Sequence, residues 1–210
     1  MTVEHQSKRR RLPADQRRQQ LLDVALVLFA ERGYARATTA ELAKAAGVTE
    51  PVIYRHFASK RDLFVALIEQ TAENTLRLWK TRLETTDDPA GRLDILLGAN
   101  PMVAMGSEEA SAYRIVLQSI TETSDAVIRE AINDHFTSLH AFIAAEVQRA
   151  QAARQVSGRL PPAMIAWVLI DIALGFGVLS AMGVSGHNRE ADETGSTSDL
   201  IRQILLPRKR

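Results

Sequence analysis

The chain has 210 residues, no cysteine and a formal net charge of +1 at pH 7. This length allows one large domain or two smaller ones, and the absence of cysteine excludes a disulfide framework and cysteine-ligated metal sites while fitting a reducing cytoplasm. The charge is unevenly distributed: residues 1–60 contain 11 Lys and Arg against 6 Asp and Glu, whereas residues 61–210 contain 15 against 19. The basic N-terminal part predicts a polyanionic partner, for which the phosphate backbone of DNA is the first candidate.

Residues 1–12 are predicted to form a polar arm with a basic run that includes Arg9, Arg10 and Arg11. No apolar stretch follows these charges before Leu21, so we expect no signal peptide. Clustered cations on an arm can neutralise phosphates or enter a minor groove. The alternative, a solvated tail without a function, stays open.

The first predicted helix covers residues 14–32, where apolar side chains from Leu22 to Phe29 recur at helical spacing. Gly33 follows directly and is expected to end the helix.

A helix-turn-helix is predicted over the next residues. Thr38 and Glu41 have the spacing of a capping box, and Gly47 can supply the left-handed backbone of a sharp turn. Thr49 is a natural N-cap for a second helix, Pro51 suits its first turn, and the helix is predicted to end near Phe57. In such a motif the second helix enters the major groove of DNA. The structural alternative is a plain helical hairpin inside an all-helical core.

At this point the sequence resembles the DNA-binding domain of the tetracycline-repressor (TetR) family of bacterial regulators. The motifs that carry the resemblance are Leu-Leu-Asp-Val-Ala at 21–25, Leu-Phe-Ala-Glu-Arg-Gly-Tyr at 28–34, Thr-Thr at 38–39, Ala-Gly-Val at 46–48 and Tyr-Arg-His-Phe-Ala-Ser-Lys at 54–60. The resemblance covers about the first third of the chain. It implies an all-α fold with a three-helix DNA-binding domain at 13–58 and a helical ligand-binding and dimerisation domain at 59–210.

The resemblance and the helix-turn-helix spacing together predict a set of DNA-contacting residues. This set is Thr38, Thr39, Thr49, Glu50, Pro51, Val52, Tyr54, Arg55, His56 and Lys60, together with Arg9, Arg10 and Arg11 of the arm. Within it, Glu50, Val52 and Arg55 are expected to select the operator sequence. Lys60 is expected to be exposed and to contact a phosphate, which carries no sequence information.

Further helices are predicted at 59–84, 89–103, 108–120, 124–154, 162–182 and 197–206. Residues 163–184 are apolar and long enough to cross a bilayer. Asp171 in the middle of this segment opposes a membrane location, and small residues along it favour close helix packing. We therefore expect no membrane and a homodimer joined through 161–182 and 197–206, which would bind a near-palindromic duplex operator.

The second part of the chain is also expected to enclose a small, largely apolar effector, because pockets combine apolar walls with a few polar anchors. The candidate lining residues are Trp79, Met102, Met105, Tyr113, Arg114, His135, Phe142, Trp167 and Asp171. His135 and His140 lie five residues apart and do not share a helical face, so no metal site is predicted. No cofactor signature or catalytic motif is present, and no enzyme activity is expected.

These observations favour a dimeric, sequence-specific transcription regulator, a repressor that the effector releases from DNA. A structural or nucleoid-associated DNA-binding protein that needs no ligand is the alternative, and a membrane-tethered helical protein is a third possibility.

Overall fold

The computed structural model describes residues 12–98 and 108–184, and every regular element in these ranges is helical. The helices are α1 (Ala14–Arg32), α2 (Thr39–Ala46), α3 (Glu50–Tyr54), α4 (Lys60–Leu83), α5 (Pro89–Gly98), α6 (Glu108–Gln118), α7 (Ala126–Ala152) and α8 (Pro162–Ala181), with one 3-10 turn at Ser119–Glu122. The predicted all-α fold class is confirmed. The arm at 1–11, Met102, Met105 and the helix predicted at 197–206 lie outside the described residues.

Two predicted helices end earlier than expected. α3 stops at Tyr54 rather than near residue 57, because the amide groups of His56 and Phe57 both bond back to the carbonyl of Ile53 and close a turn. After α6, the Ser119 hydroxyl donates to the Val116 carbonyl, and the chain tightens into the 3-10 turn. The predicted helix at 89–103 is described only as far as Gly98.

The chain forms two compact units, Met1–Leu63 and Phe64–Arg210, so the division falls inside α4. In the first unit, α1 packs on α2 and α2 on α3. Leu22, Phe29, Leu42 and Ile53 are at most 1% exposed and form the centre of this small core. Burying four such side chains is what holds the short helix α3 against the longer α1 and α2, since five residues cannot form a stable helix alone.

The second unit has its own core, built from α4, α5, α6, α7 and α8. Asp125 is the N-cap of α7, and its carboxylate accepts from the amide groups of Val127 and Ile128. Along α7 the buried face packs on α8 and on α5. On the α4 side, the ring of Trp79 stacks on Phe142 with ring centroids 5.8 Å apart.

A buried ion pair joins α5 to α7. Arg92 donates from Nε and Nη2 to the two carboxylate oxygens of Glu146, each at 2.8 Å, and from Nη1 to the Leu83 carbonyl at 2.9 Å. The paired guanidinium lowers the pKa of Glu146, and hydrogen bonding to Glu146 raises the pKa of Arg92. The pair therefore ties the end of α4, the start of α5 and the C-terminal part of α7 together.

α8 has one covered face and one uncovered face. Ile165, Ala166 and Ile170 are buried, whereas Trp167 and Val168 are 44% and 49% exposed. By length and composition the window Pro162–Leu179 could cross a membrane, yet a helix between two protein surfaces meets the same test. The uncovered face is apolar apart from Asp171, and an exposed apolar patch of this kind is typical of an interaction surface.

Candidate functional site

The helix-turn-helix is confirmed in its local geometry. The amide of Glu41 donates to the Thr38 hydroxyl at 3.2 Å, and the amide of Thr38 donates to the Glu41 carboxylate at 3.0 Å. These bonds complete the predicted capping box, and the backbone bond from Thr38 lowers the pKa of Glu41. Gly47 has φ +65° and ψ 35°, the left-handed conformation that the sharp turn between α2 and α3 requires.

α3 presents an accessible face formed by most of the predicted contact residues. Ile53 on its other side is 1% exposed, and Phe57 is buried beneath the Arg18 guanidinium, which lies 4.9 Å from the ring centroid. The exposed predicted residues are Thr38, Thr49, Pro51, Tyr54 and Arg55, and the half-buried ones are Thr39, Glu50, Val52, His56 and Lys60. Thr49 occupies the N-cap position, but within the described residues its side chain makes no capping hydrogen bond.

Three of the predicted contact residues are bonded to one another. The Thr39 hydroxyl donates to Glu50 Oε2 at 2.7 Å, and the Tyr54 hydroxyl lies 3.3 Å from the same Thr39 oxygen. Because Thr39 has one hydroxyl proton and gives it to Glu50, Tyr54 is the donor in the second bond. This network links the first turn of α2 to both ends of α3.

Lys60 is predicted to be exposed, but in the structure it is half-buried. Its ammonium donates to the carbonyls of Tyr34 at 2.9 Å, Ala37 at 3.1 Å and Ala35 at 3.4 Å, and lies 4.5 Å from the centroid of the Tyr34 ring. The connection between α1 and α2 leaves these carbonyls without helical partners, and three ammonium N–H groups match them. Lys60 therefore fastens the segment that leads into the capping box.

We expect Lys60→Met to lower the free energy of unfolding by about 2 kcal/mol, because three carbonyls lose a charged donor. DNA binding should weaken, since the segment that positions Thr38 is released. The slope of log affinity against log salt should stay unchanged, because no phosphate contact is lost, whereas losing one would reduce the slope by about 1.

Chemical denaturation and a salt titration of DNA binding measure both quantities. The matched control is Lys44→Met, which removes an exposed lysine of the same unit from α2. A reduced salt slope in Lys60→Met with unchanged stability would show that this lysine contacts a phosphate after all.

The second unit contains a buried aromatic cluster around His135. The His135 ring lies 5.6 Å from the Tyr113 ring and 5.0 Å from the Phe136 ring, both edge to face. His135 is 2% exposed, and among the described residues no group forms a hydrogen bond of good geometry with either ring nitrogen. Burial lowers the pKa of His135 to about 4, against a smaller opposing effect of the Ile68 backbone, and burial raises the pKa of Tyr113 to about 12.

The structure separates the predicted pocket residues into two groups. Trp79, Tyr113, His135 and Phe142 lie in the interior of the second unit. Arg114, Trp167 and Asp171 are exposed in the single chain, and the structure does not bring them together with this interior group. Trp167 instead stacks on His140, with ring centroids 4.4 Å apart. Apart from Asp171, α8 is apolar all round, so its sequence does not show which of its apolar side chains are covered.

No group of three His, Cys, Asp or Glu side chains within residues 12–98 and 108–184 is arranged to hold a metal ion.

Residues 21–67 match the family model of bacterial regulatory proteins of the tetR family. The chain is 35% identical over 130 residues to the transcriptional activator FasR of Mycolicibacterium smegmatis. The aligned region covers 59% of this chain and 58% of that protein. It is 34% identical over 121 residues to the nucleoid occlusion factor SlmA of Aliivibrio fischeri, with 57% of this chain and 61% of that protein covered. The chain thus spans about three fifths of the length of these curated relatives.

Among solved structures, a transcriptional regulator from Saccharomonospora viridis in complex with choline superposes with a TM-score of 0.80 at 21% identity, covering 92% of this chain and all of that chain. At this identity the likeness shows a shared fold.

Proposed function

The chain belongs to the tetR family of bacterial regulatory proteins, and from this premise we propose that it is a homodimeric transcription regulator that binds a near-palindromic duplex operator. The observation that carries the proposal is the face of α3. Ile53 anchors the helix from behind, while Tyr54 and Arg55 point into solvent with hydrogen-bonding groups suited to a major groove. The family is one of regulatory proteins rather than enzymes, and a cytoplasmic location follows from binding DNA.

The second copy of the chain is the proposed partner of the uncovered face of α8. Trp167, Val168 and Leu179 lie on this face, and Gly175 between them leaves room for close approach. A twofold pair of such faces would bury the apolar stripe that one protomer leaves in water. It would also place two α3 helices on successive major grooves when they lie about 34–36 Å apart.

The buried cluster around His135 is the proposed effector site. A neutral imidazole can both donate and accept a hydrogen bond. Among the described residues neither ring nitrogen has a hydrogen-bond partner of good geometry, and the surrounding side chains are largely apolar. The S. viridis protein of the same fold was solved with choline, which supports a small-molecule site in this architecture. We propose that the effector binds better to a state with a different spacing of the two α3 helices, so that it releases DNA and relieves repression.

The test of the proposal is selection of bound duplexes from a random library, followed by gel-shift titration. We expect the wild type to select a near-palindrome. Arg55→Ala should relax the preference at one base pair in each half-site, at a cost of roughly 1–3 kcal/mol. Failure of the wild type to enrich any sequence would contradict the proposal.

The dimer is tested with a matched pair of valine-to-glutamate variants. Val168→Glu places a charge on the proposed interface and should give a monomer mass in light scattering at micromolar concentration. Val27→Glu changes a valine of similar exposure, 57% against 49%, on α1 and should leave the dimer intact. A dimeric Val168→Glu would move the interface away from α8.

A nucleoid-associated function is the second candidate, because the similarity to SlmA extends beyond the helix-turn-helix. The two functions differ in their need for an effector. A thermal-shift screen of apolar, aromatic and cationic compounds should find one that stabilises the protein and releases DNA, and His135→Leu should reduce both effects. Ligands that stabilise the protein yet never release DNA would favour the nucleoid function.

A further inference from the structure

We infer that Glu50 reads the amino group of a cytosine in the major groove, and that Thr39 and Tyr54 act as positioning residues for its carboxylate. This inference rests on the proposed DNA binding and names the base contacted at one position. It starts from an oddity of the helix-turn-helix: an acidic side chain lies in the first turn of the helix that approaches a polyanion.

The carboxylate of Glu50 is held on one side and open on the other. Its Oε2 accepts from the Thr39 hydroxyl at 2.7 Å, and Tyr54 supports Thr39 from the far end of α3. Among the described residues no donor reaches Oε1. The network therefore fixes the orientation of the carboxylate and leaves one acceptor oxygen for an outside donor.

No cation of the described chain neutralises this carboxylate, whereas the other acidic residue of the motif, Glu41, lies 3.5 Å from Arg32 and accepts from the capping box. Next to phosphates, an unneutralised carboxylate weakens binding unless it meets a hydrogen-bond donor. The donors in a major groove are the amino groups of cytosine and adenine.

The neighbours of these amino groups decide between the two bases. Adenine presents the N7 acceptor beside its N6 amino group, and guanine and thymine present only acceptors and a methyl group. A carboxylate has no proton to give to N7. At adenine its attraction to the N6 amino group is therefore opposed by repulsion from the N7 acceptor. Cytosine presents its N4 donor without an acceptor of its own, and it is the base that Glu50 should select.

The role of Thr39 is to keep Oε1 in that position. Without this bond the Glu50 side chain could adopt several rotamers. Fixing one of them on binding would cost conformational entropy and offset part of the binding free energy of the base contact. Thr39 and Glu50 should therefore act on the same base pair, although only Glu50 touches it. Removing either should affect discrimination more than overall affinity.

The experiment measures the affinity of the full-length protein for its selected operator and for versions with each base substituted at each position. The wild type should prefer C·G at one position per half-site by about tenfold or more. Glu50→Gln should move that preference toward A·T, because an amide pairs with both N6 and N7 of adenine. Thr39→Val should reduce discrimination at the same position, and Thr39→Ser should restore it.

The double variant Thr39→Val, Glu50→Gln should prefer the new base as strongly as Glu50→Gln alone does, since Thr39 acts through the carboxylate that both variants lack. Arg55→Ala is the control, because it should change a different position. If Glu50→Gln keeps the wild-type preference, or if Thr39→Val changes another position, the inference is wrong while DNA binding by α3 stands. If the wild type selects no sequence, the proposed function itself fails.

Discussion

Replacing Glu146 by leucine should lower the free energy of unfolding by about 3–5 kcal/mol, because the change leaves a buried guanidinium without its anion. Only 14% of the Arg92 side chain and 7% of the Glu146 side chain reach solvent. Arg92 would retain its bond to the Leu83 carbonyl but lose two charge-assisted bonds of 2.8 Å. Because α4, α5 and α7 all meet at this pair, the loss should appear in global unfolding.

Chemical denaturation at neutral pH measures the effect, and Glu130→Leu is the matched control because it removes an exposed glutamate from the same helix. Removing both partners, as Arg92→Met with Glu146→Leu, should recover much of the stability, since two apolar side chains carry no uncompensated charge. Equal stability of Glu146→Leu and Glu130→Leu would show that the pair contributes little.

The helix-turn-helix could be predicted closely because its signals are local. α1 begins and ends at the predicted residues, and the capping box of Thr38 and Glu41 is formed by residues three apart. Gly47 adopts the backbone conformation that only its lack of a side chain makes cheap. Each of these features depends on neighbours within about one turn, so the sequence pattern contains the relevant information.

The contacts that hold the site in place could not be predicted, because they join residues that are distant in sequence. Thr39 and Glu50 lie 11 residues apart, and Arg92 and Glu146 lie 54 apart. Lys60 fits a surface pattern as a lysine at a helix start, yet carbonyls 23 to 26 residues earlier bind its ammonium. The sequence identifies each polar side chain, whereas its hydrogen-bond partners depend on the tertiary fold.

The faces of α8 illustrate a different limit. Periodicity assigns a face only when apolar and polar residues alternate at helical spacing, and α8 is apolar on all sides apart from Asp171. Trp167 and Val168 therefore could not be distinguished from Ile170 and Ala173, of which the first pair is exposed and the second buried.

Acidification should destabilise the protein through His135 more than through any exposed histidine. The pKa of His135 is about 4 in the folded protein, against about 6.5 in an unfolded chain. Above pH 6.5 the imidazole is neutral in both states and has no effect. Between pH 6.5 and 4 the unfolded state binds the proton more readily, so stability falls with pH by about 3 kcal/mol in total and levels off below pH 4.

The measurement is thermal or chemical unfolding of the wild type and of His135→Leu at pH 7 and at pH 4.5. The carboxylates titrate in both proteins, so the difference between the two proteins gives the contribution of His135. The variant should lose less stability than the wild type over this interval, and at pH 7 it should be at least as stable, because leucine leaves no polar atom without a partner. His56→Leu is the control: its imidazole reaches solvent in the first unit, so the wild-type loss should persist.

An identical acid loss in the wild type and His135→Leu would show that the imidazole finds a partner when charged. The expected result instead describes a buried imidazole that stays neutral around pH 7. Such a group can give an effector both a donor and an acceptor without first giving up a proton, so effector binding through His135 should not change with pH well above its folded-state pKa of about 4.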